Sequence, residues 1–403
     1  MATSTRDELV GLVRSPAFLS VMAVTWLLPV SAAISPALPS MATALGVSDA
    51  RVGLVITAIT LPPMILAPVV GVLGDMYGRR AIAIPGLLLY GGAGVGIAFV
   101  DTFVAVLGLR ALQGVAMAGI GPLTVTLLGD LYDGTEATTA QGLRMSAAGI
   151  SLLVIPLAAG ALAGIGWQYP FLLYGLSLFV AVAVWIYVPE TAPDREQAPS
   201  IRGSLRNYAR SIRDEVDPRL LILMSGGFVR FFSWFGFMTF VPIFAVRVLG
   251  ASPFLAGLAV AAASVRIPLS PTAGWWVVRF SRRWALVGTL AIQVVVFAAI
   301  PFAPSVWALA ALAVLYGVGD AIFGPMVNDG VTAVVAAENR NGVVGGLRVM
   351  KEAGKTAGPA ALGAILAVSG YFMLFLSLTV LLGVYIVMVA VGLRTAVQEI
   401  SEA

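Results

Sequence analysis

Residues 51–80 read RVGLVITAITLPPMILAPVVGVLGDMYGRR, an apolar stretch followed by a short segment rich in glycine and charge. Arg51 is the only charged residue before Asp75. About 20 apolar residues are enough for an α-helix to cross the roughly 30 Å hydrocarbon core of a membrane. The apolar side chains do not alternate with polar ones, as those of a membrane β-strand would. The stretch therefore predicts a membrane-spanning helix over residues 51–73 that ends at a tight turn.

The same pattern recurs along the whole chain of 403 residues, which is 59% hydrophobic and 11% charged, with a mean hydropathy of +0.97. Soluble proteins carry about 25% charged residues. Apolar stretches bounded by charges, glycine or proline predict twelve spans, at residues 17–39, 51–73, 82–100, 103–128, 140–164, 168–188, 219–247, 253–276, 284–303, 306–328, 342–366 and 371–394. The predicted fold class is therefore an all-α integral membrane protein with twelve transmembrane helices.

The composition also limits the chemistry of the protein. The sequence contains no cysteine and no histidine, which excludes disulfides, Cys/His zinc sites, cysteine nucleophiles and Ser-His-Asp triads. It contains no phosphate-binding GxxxxGK[ST] loop that would indicate an ATP-driven pump. We therefore predict a protein that is not an enzyme and needs neither a cofactor nor a metal. Its predicted surroundings are the lipid bilayer, with no nucleic-acid partner.

One long polar segment divides the chain. Residues 189–218 contain four prolines and charges of alternating sign. They predict a linker between an N-terminal six-helix bundle, residues 1–188, and a C-terminal six-helix bundle, residues 219–403. The linker is either solvated or includes a short helix on an anionic membrane surface, since Leu205, Tyr208 and other apolar residues recur there at helical spacing.

The positions of the basic residues predict the orientation. If the N-terminus is cytoplasmic, fifteen of the 24 lysines and arginines lie in cytoplasmic segments. Only Arg51 and Arg247 lie on the opposite side. By the positive-inside rule, both termini and the linker are predicted to be cytoplasmic, in a multi-pass protein of the cell membrane.

The two halves are related by a sequence repeat at a shift of 203 residues. The shift aligns four pairs of prolines, where chance would align fewer than one pair. It superposes Pro39 on Pro242, Pro68 on Pro271, Pro122 on Pro325, Pro156 on Pro359, and Arg79-Arg80 on Arg282-Arg283. Because each repeat has an even number of helices, the two repeats are parallel, and a ligand is expected to bind between them near the membrane midplane.

Four motifs add a family resemblance that covers the whole chain. Residues 71–80, GVLGDMYGRR, match the pattern G-x-L-x-D-x-x-G-R-R/K, and residues 110–114, RALQG, match R-x-x-Q-G. Gly149 with residues 155–160, IPLAAG, is similar to G-P-x-x-G-G, with Ile155 in place of a glycine. The sequence VPET ends the sixth span. Together these motifs resemble the major facilitator superfamily, in particular its twelve-helix drug:proton antiporter branch. The resemblance implies alternating access, with Arg110 in proton coupling and an antiporter-motif helix marked by Gly149, Pro156 and Gly160.

The first motif predicts a gate. The predicted gate residues are Gly71, Gly74, Asp75, Gly78, Arg79, Arg80 and Asp130. The glycines allow close helix approach and a tight turn, and Asp75 and Arg79 can form ionic contacts that differ between conformations. Asp130 is the predicted partner of Arg79; the alternative is that the two arginines only set the topology. In the second repeat Val278 replaces Asp75, so the corresponding contact is expected to be weaker or absent there.

Ionisable residues inside spans cost at least about 2.5 kcal/mol each at the bilayer centre and are functional candidates. The spans contain Arg110, Arg230, Arg266, Arg348, Lys351 and Lys355, against the acids Asp320 and Glu352. Either these groups neutralise one another in a structural network, or some of them line a cavity. The surplus of positive charge favours anionic or neutral ligands over cations. The predicted substrate-cavity residues are Arg230, Arg266, Lys351, Lys355, Trp26 and Trp234.

Proton coupling requires an acid, because histidine is absent and arginine does not release protons. Glu352 has Arg348 and Lys355 one turn away on its own helix, and these bases favour its ionised form. Asp320 has no base at i±3 or i±4, so burial is expected to favour its protonated form. Asp320 is therefore the preferred proton carrier, ahead of Glu352.

These observations predict a secondary active transporter that works by alternating access. Its predicted function is proton-coupled efflux of small amphipathic or drug-like compounds by a monomer, with protons as the coupling ion. An organic-anion or metabolite exchanger is the alternative among transporters. A non-transporting membrane receptor or scaffold is the alternative from another class of protein.

Overall fold

A computed structural model of the chain describes residues 11–29, 34–191, 217–335 and 340–393. All secondary structure within these residues is α-helix or 3₁₀-helix, which confirms the all-α prediction. Nine of the described helices are long and apolar enough to span a membrane. Two of the nine divide at a residue with non-helical backbone, and Pro16–Leu27 is a shorter apolar helix. Each predicted span thus overlaps a described helical segment, while the number of helices that cross the membrane stays a prediction.

We label these segments α1 to α12 in chain order and call residues 11–191 the N-half and residues 217–393 the C-half. In the N-half they are α1, Pro16–Leu27 with Leu38–Ala44; α2, Asp49–Val52 with Leu54–Tyr77; α3, Arg79–Ile97; α4, Phe103–Leu131; α5, Gly134–Ala163; and α6, the 3₁₀-helix Tyr169–Gly175 with Leu176–Tyr187. In the C-half they are α7, Pro218–Arg247; α8, Pro253–Ala262 with Arg266–Leu269 and 273–280; α9, 282–299; α10, Val306–Val334; α11, 340–369; and α12, 371–392.

Two predicted spans are interrupted rather than continuous. The predicted span 17–39 leaves α-helical geometry after Leu27, and α8 passes through the 3₁₀-helices Ala263–Val265 and Ser270–Thr272. Prolines account for both interruptions, because a proline inside a helix removes one backbone hydrogen bond and clashes with the preceding turn. Pro29 follows the break in α1, and Pro268 and Pro271 lie within the interrupted part of α8.

The sequence repeat reappears in the backbone. Gly78 joins α2 to α3 with a φ of 99°, and Ser281, which lies 203 positions later, joins α8 to α9 with a φ of 61°. Positive φ is uncommon for a residue with a side chain, and among the described non-glycine residues only Ser281 adopts it. Each of the two residues directly precedes a pair of arginines. The same turn is therefore built twice.

Contacts between the halves also occur as a repeat-related pair. A Cβ at Gly160 of α5 would overlap the carbonyl of Pro253 at the start of α8. A Cβ at Gly363 of α11 would overlap the carbonyl of Ala50 at the start of α2 in the same way. Both partners of the second contact are related to those of the first by the shift of 203 residues. This exchange of equivalent contacts is what two parallel repeats around a common axis produce.

The halves meet at one end of the molecule, which we call the distal end and define by the turns at residues 45–48, 248–252 and 370. Both glycine contacts lie there. The described hydrogen bonds between the halves run from there to mid-bundle, where the Ser264 hydroxyl donates to the Leu152 carbonyl at 3.0 Å. At the opposite, proximal end, the described ion pairs join helices of the same half.

The predicted division into bundles 1–188 and 219–403 remains a prediction. Most of the predicted linker, 189–218, lies outside the described residues. This includes the proposed surface helix around Leu205 and Tyr208.

Candidate functional site

A cavity of about 370 Å³ lies between the two halves near the middle of the helices. The N-half lines it with nine uncharged residues: Leu28, Pro29, Thr60, Pro63, Met117, Ala118, Gly121, Pro122 and Leu152. The C-half contributes Phe231, Trp234, Phe235, Arg266, Arg348, Glu352 and Lys355. All charged groups in this described lining therefore belong to the C-half, and they comprise three bases and one acid.

The acid and one base of the lining form an ion pair. Lys355 Nζ donates to Glu352 Oε1 at 2.6 Å, three residues apart on α11. Lys355 Nζ also lies 5.1 Å from the centre of the Phe231 ring. Arg348, one turn before Glu352, has no acidic partner among the described residues and is exposed. Lys355 and Glu352 remain partly exposed, with 24% and 15% of their side-chain surface accessible.

The third base, Arg266 of α8, lies between an acid and an aromatic ring. Its Nη1 donates to Asp320 Oδ2 at 2.8 Å, and its guanidinium carbon lies 3.8 Å from the centre of the Trp234 ring. Trp234 stacks in turn on Tyr316 of α10. Such a cation–aromatic contact stabilises a cation that has lost part of its hydration. Arg266 is thus held in one position with one face towards the cavity.

Asp320 itself is completely buried behind Arg266 and accepts from two arginines. Arg230 of α7 donates from Nε to Oδ1 at 2.6 Å and from Nη2 to Oδ2 at 2.9 Å. A Cβ at Gly324, one turn after Asp320, would overlap the Arg230 guanidinium, so a side chain there would displace Arg230 from its present position. The result is a buried group of two bases and one acid on three helices.

The preference for Asp320 as the proton carrier is not supported by its surroundings. It considered only positions on the same helix, whereas both arginines come from other helices, α7 and α8. Two guanidinium groups favour the ionised carboxylate and leave it no exposed surface for proton exchange. Of the two predicted acids, Glu352 is the one that lines the cavity.

The remaining candidates lie outside the described lining. Arg230 is one layer behind it, and Lys351 Nζ donates to Asn328 Oδ1 of α10 at 2.6 Å. The carbonyl of Trp26 accepts from the Ser151 hydroxyl of α5 at 2.6 Å. Thus Arg266, Lys355 and Trp234 are the predicted cavity residues that the structure brings together.

Arg110 lies in the interior of the N-half, away from the described lining. Its Nη1 donates to Gln113 Oε1 at 3.0 Å and to the Tyr174 hydroxyl at 2.7 Å. Its guanidinium also packs against the Phe171 ring. The side chain is fully buried. This arrangement joins α4 to α6 within one half.

The predicted gate residues meet at the proximal end of the N-half. Arg79 pairs with Asp130 as predicted, and Asp130 also accepts from the Thr191 hydroxyl at 3.0 Å. Glu190 accepts from the backbone amides of Arg80 and Ala81, both at 3.1 Å, and so caps the first turn of α3. The cap was not predicted; its sequence signal is Glu190 in the VPET motif.

The four other predicted gate residues are three glycines and Asp75. A Cβ at Gly78 would overlap the Glu190 carboxylate, and a Cβ at Gly74 would touch Leu123 of α4. The surroundings of Gly71 and the side chain of Asp75 lie outside the described part of the structure. The role of Asp75 therefore remains a prediction.

The C-half contains an ion pair that resembles the Arg79–Asp130 pair of the N-half. Arg282, the repeat counterpart of Arg79, pairs with Asp329 of α10. The expectation of a weaker or absent contact in the second repeat concerned a different pair. It considered Val278 at the position of Asp75, whereas the acid comes from the neighbouring helix.

The antiporter-motif residues all lie where α5 packs on α8. A Cβ at Gly149 would approach Ile267 within 2.7 Å, and Gly160 lies against the Pro253 carbonyl. The carbonyl of Pro156 lies so close to Gly257 that a Cβ there would overlap it. The motif thus forms the closely packed contact between the halves on this side of the cavity.

A polar network closes the distal end. Arg247 of α7 donates from Nε to Asp49 Oδ1 at 3.0 Å and from Nη2 to the Pro39 carbonyl at 3.1 Å and Thr43 Oγ1 at 2.9 Å. The Tyr371 hydroxyl of α12 donates to Asp49 Oδ2 at 3.0 Å. We call Asp49, Arg247 and Tyr371 the distal latch. The sequence signal for it was that Arg247 is one of only two predicted bases on that side.

A family model described as "Major Facilitator Superfamily" matches residues 17–267 and 223–402. The bacillibactin exporter of Bacillus subtilis (strain 168) is 28% identical over 187 residues, which is 45% of this chain and 46% of that protein. A chloramphenicol resistance protein of Pseudomonas aeruginosa is 32% identical over 164 residues, or 40% of this chain and 39% of that protein. The aligned regions thus span about half or less of the length of these curated relatives.

Solved structures show a similar fold at low sequence identity. The nucleoside transporter NupG superposes with a TM-score of 0.76 at 15% identity, covering 92% of this chain and 99% of that one. The human organic anion transporter MFSD10 superposes with a TM-score of 0.62 at 18% identity, covering 95% of this chain and 99% of that one.

Proposed function

Because the chain belongs to the major facilitator superfamily, we propose that it exports small amphipathic compounds across the cell membrane in exchange for protons. It is a multi-pass membrane transporter rather than an enzyme. The cavity between the halves carries this proposal. It combines an apolar, uncharged surface on the N-half with aromatic rings and charges on the C-half. A ligand with an apolar body and one polar end matches such a surface. Relatives named as a bacillibactin exporter and a chloramphenicol resistance protein support efflux as the direction.

Glu352 is the proposed proton carrier. It faces the cavity, whereas Asp320 is enclosed by two arginines. Protonation of Glu352 breaks its ion pair with Lys355 and so changes the charge pattern of the cavity. A carrier placed in this way connects proton binding to ligand binding without any further relay.

The Glu352→Gln variant tests this role. We expect it to keep ligand exchange across the membrane. The rate of uptake driven by a pH gradient should fall at least about tenfold, because glutamine cannot carry the proton. The measurement is transport in proteoliposomes under imposed pH gradients of either sign, with a panel of neutral, anionic and cationic amphipathic compounds.

Glu136→Gln is the matched control, since Glu136 lies in the first turn of α5 outside the cavity lining. Normal proton-driven transport by Glu352→Gln would rule out this carrier. Binding without any counterflow in the parent protein would instead support a receptor or scaffold.

Exchange of organic anions or metabolites is the second candidate function. It is favoured by the excess of bases over acids in the lining, where Arg266, Arg348 and Lys355 face the single acid Glu352. An exchanger would show anion–anion counterflow that does not depend on an imposed pH gradient. The same proteoliposome panel therefore separates the two functions.

The Arg79–Asp130 pair is proposed to act as a gate at the proximal end, because it joins the start of α3 to the end of α4. The Asp130→Asn variant is expected to lower the transport rate about fivefold or more while ligand affinity changes less than twofold, since the pair biases conformations without touching ligand. Asp133→Asn is the control, because Asp133 makes no side-chain cap hydrogen bond. Equal transport rates in the two variants would contradict the gate.

A further inference from the structure

The Lys355–Glu352 ion pair has a consequence for ligands that carry negative charge. We infer that Lys355 is an anion-binding group that the Glu352 carboxylate occupies when no ligand is bound, so that an anionic ligand and a proton enter the cavity together. This inference rests on the proposed function, because it concerns the same cavity and the same acid. It names the class of ligand concerned: amphipathic compounds with one anionic group.

The position of Lys355 supports the first part. Its ammonium group is partly exposed in the cavity, holds Glu352 Oε1 at 2.6 Å and lies over the Phe231 ring. An ammonium group has three donors and no acceptor, so it suits a carboxylate, sulfonate or phosphate group. The aromatic face beside it suits the apolar body of the same ligand.

The surrounding charges support the second part. The bases that face or adjoin Glu352 are Lys351, Lys355 and Arg348 on α11, Arg230 on α7 and Arg266 on α8, and the other acid is Asp320 on α10. Arg230 and Arg266 are already engaged by Asp320. The N-half adds no charged group to the described lining. Glu352 is therefore the group in the described lining that repels an incoming anion.

The two negative groups compete for the same ammonium. While Glu352 is ionised, it neutralises Lys355 and repels a second anion at close range. Once Glu352 is protonated, Lys355 is released and the repulsion disappears. Proton binding and anion binding at this site thus reinforce each other, and by linkage each strengthens the other by the same factor.

A consequence for transport follows. An anion that binds at Lys355 moves in the same direction as the proton on Glu352. Export in exchange for protons therefore applies to ligands that leave the Lys355–Glu352 pair intact, such as uncharged amphipathic compounds held by the apolar N-half surface.

The test uses two fluorescent probes that share one apolar body. These are 8-anilinonaphthalene-1-sulfonate, whose sulfonate stays ionised, and the uncharged N-phenyl-1-naphthylamine. Their binding to the protein in lipid nanodiscs is measured at pH 6 and pH 8 by energy transfer from tryptophan. The saturable part of the signal gives the bound probe, because partition into lipid does not saturate.

We expect the dissociation constant of the sulfonate to fall from pH 8 to pH 6, by at most about tenfold per pH unit because one proton is linked. The uncharged probe is expected to bind no more tightly at pH 6 than at pH 8. Glu352→Gln should bind the sulfonate with an affinity that does not depend on pH and that is at least as high as that of the parent at pH 6. Lys355→Gln should bind it weakly at both, and the control Arg144→Gln, on α5 outside the lining, should behave like the parent.

Each outcome decides a different statement. If the uncharged probe binds but the sulfonate affinity does not depend on pH, or still depends on pH in Glu352→Gln, this inference is wrong and the proposed function stands. If neither probe binds, the cavity is not a ligand site, and both proposals are wrong.

Discussion

The Asp320→Asn variant is expected to lose about 3–5 kcal/mol of stability and to unfold at a temperature about 5 °C or more below the parent, because two buried arginines lose their counter-ion. Asp320 has no exposed surface, and it receives three hydrogen bonds from Arg230 and Arg266. Asparagine keeps the shape of the side chain but removes its charge. The measurement is thermal unfolding of the purified protein, followed by circular dichroism.

Asp329→Asn is the matched control, with the same substitution on the same helix. Asp329 pairs with Arg282 but keeps 64% of its side-chain surface exposed. Exposed ion pairs contribute about 1 kcal/mol or less, so this variant should unfold close to the parent. Adding Arg230→Gln to Asp320→Asn is expected to recover part of the loss, since it removes one of the two uncompensated charges. Equal stability of Asp320→Asn and the parent would show that the buried group does not hold the C-half together.

The Arg247→Gln variant is expected to open the distal end. Arg247 makes hydrogen bonds to Asp49, Pro39 and Thr43 across the two halves. Hydrogen bonds to charged groups contribute about 1.5–3 kcal/mol each, so their loss should shift the balance between distal-closed and distal-open states by about tenfold or more. Net transport should fall, because the cycle requires both states.

A single introduced cysteine reports this shift directly, because the natural sequence has none. Met117→Cys places a thiol in the cavity lining. A membrane-impermeant maleimide added from the distal side should label it about tenfold faster when Arg247→Gln is also present. Arg51→Gln, which removes another exposed arginine at the distal end, is the control and should leave the labelling rate unchanged. If both arginine variants label at the parent rate, the distal latch does not control access.

Much of the fold could be predicted from the sequence because the membrane imposes local rules. A helix must cover about 30 Å of hydrocarbon with apolar side chains, and this requirement placed spans such as 103–128 within a few residues of the observed Phe103–Leu131. The repeat of glycine, proline and arginine positions reflects backbone geometry. It therefore reappeared as the equivalent turns at Gly78 and Ser281.

The candidate site was predicted only in part. The sequence placed Arg266, Glu352 and Lys355 inside spans, and the cost of burying charge identified them as candidates. It also placed Arg348 and Lys355 beside Glu352, because residues three or four apart on one helix share a face, and Lys355 is the one that pairs with Glu352. Local spacing thus determined the one ion pair of the lining that lies within a single helix.

Tertiary structure alone decided which charges meet between helices. Arg230 and Asp320 are 90 positions apart, and Arg247 and Asp49 are 198 apart. Helical periodicity gives no information about partners on another helix, which depend on how the helices pack and rotate against one another. The sequence by itself determined that this protein is a membrane-spanning bundle of two repeats with charge in its interior, because hydropathy and repeats are read along the chain. Only the packing of α7, α8 and α10 decided that Asp320 is enclosed and that Glu352 faces the cavity.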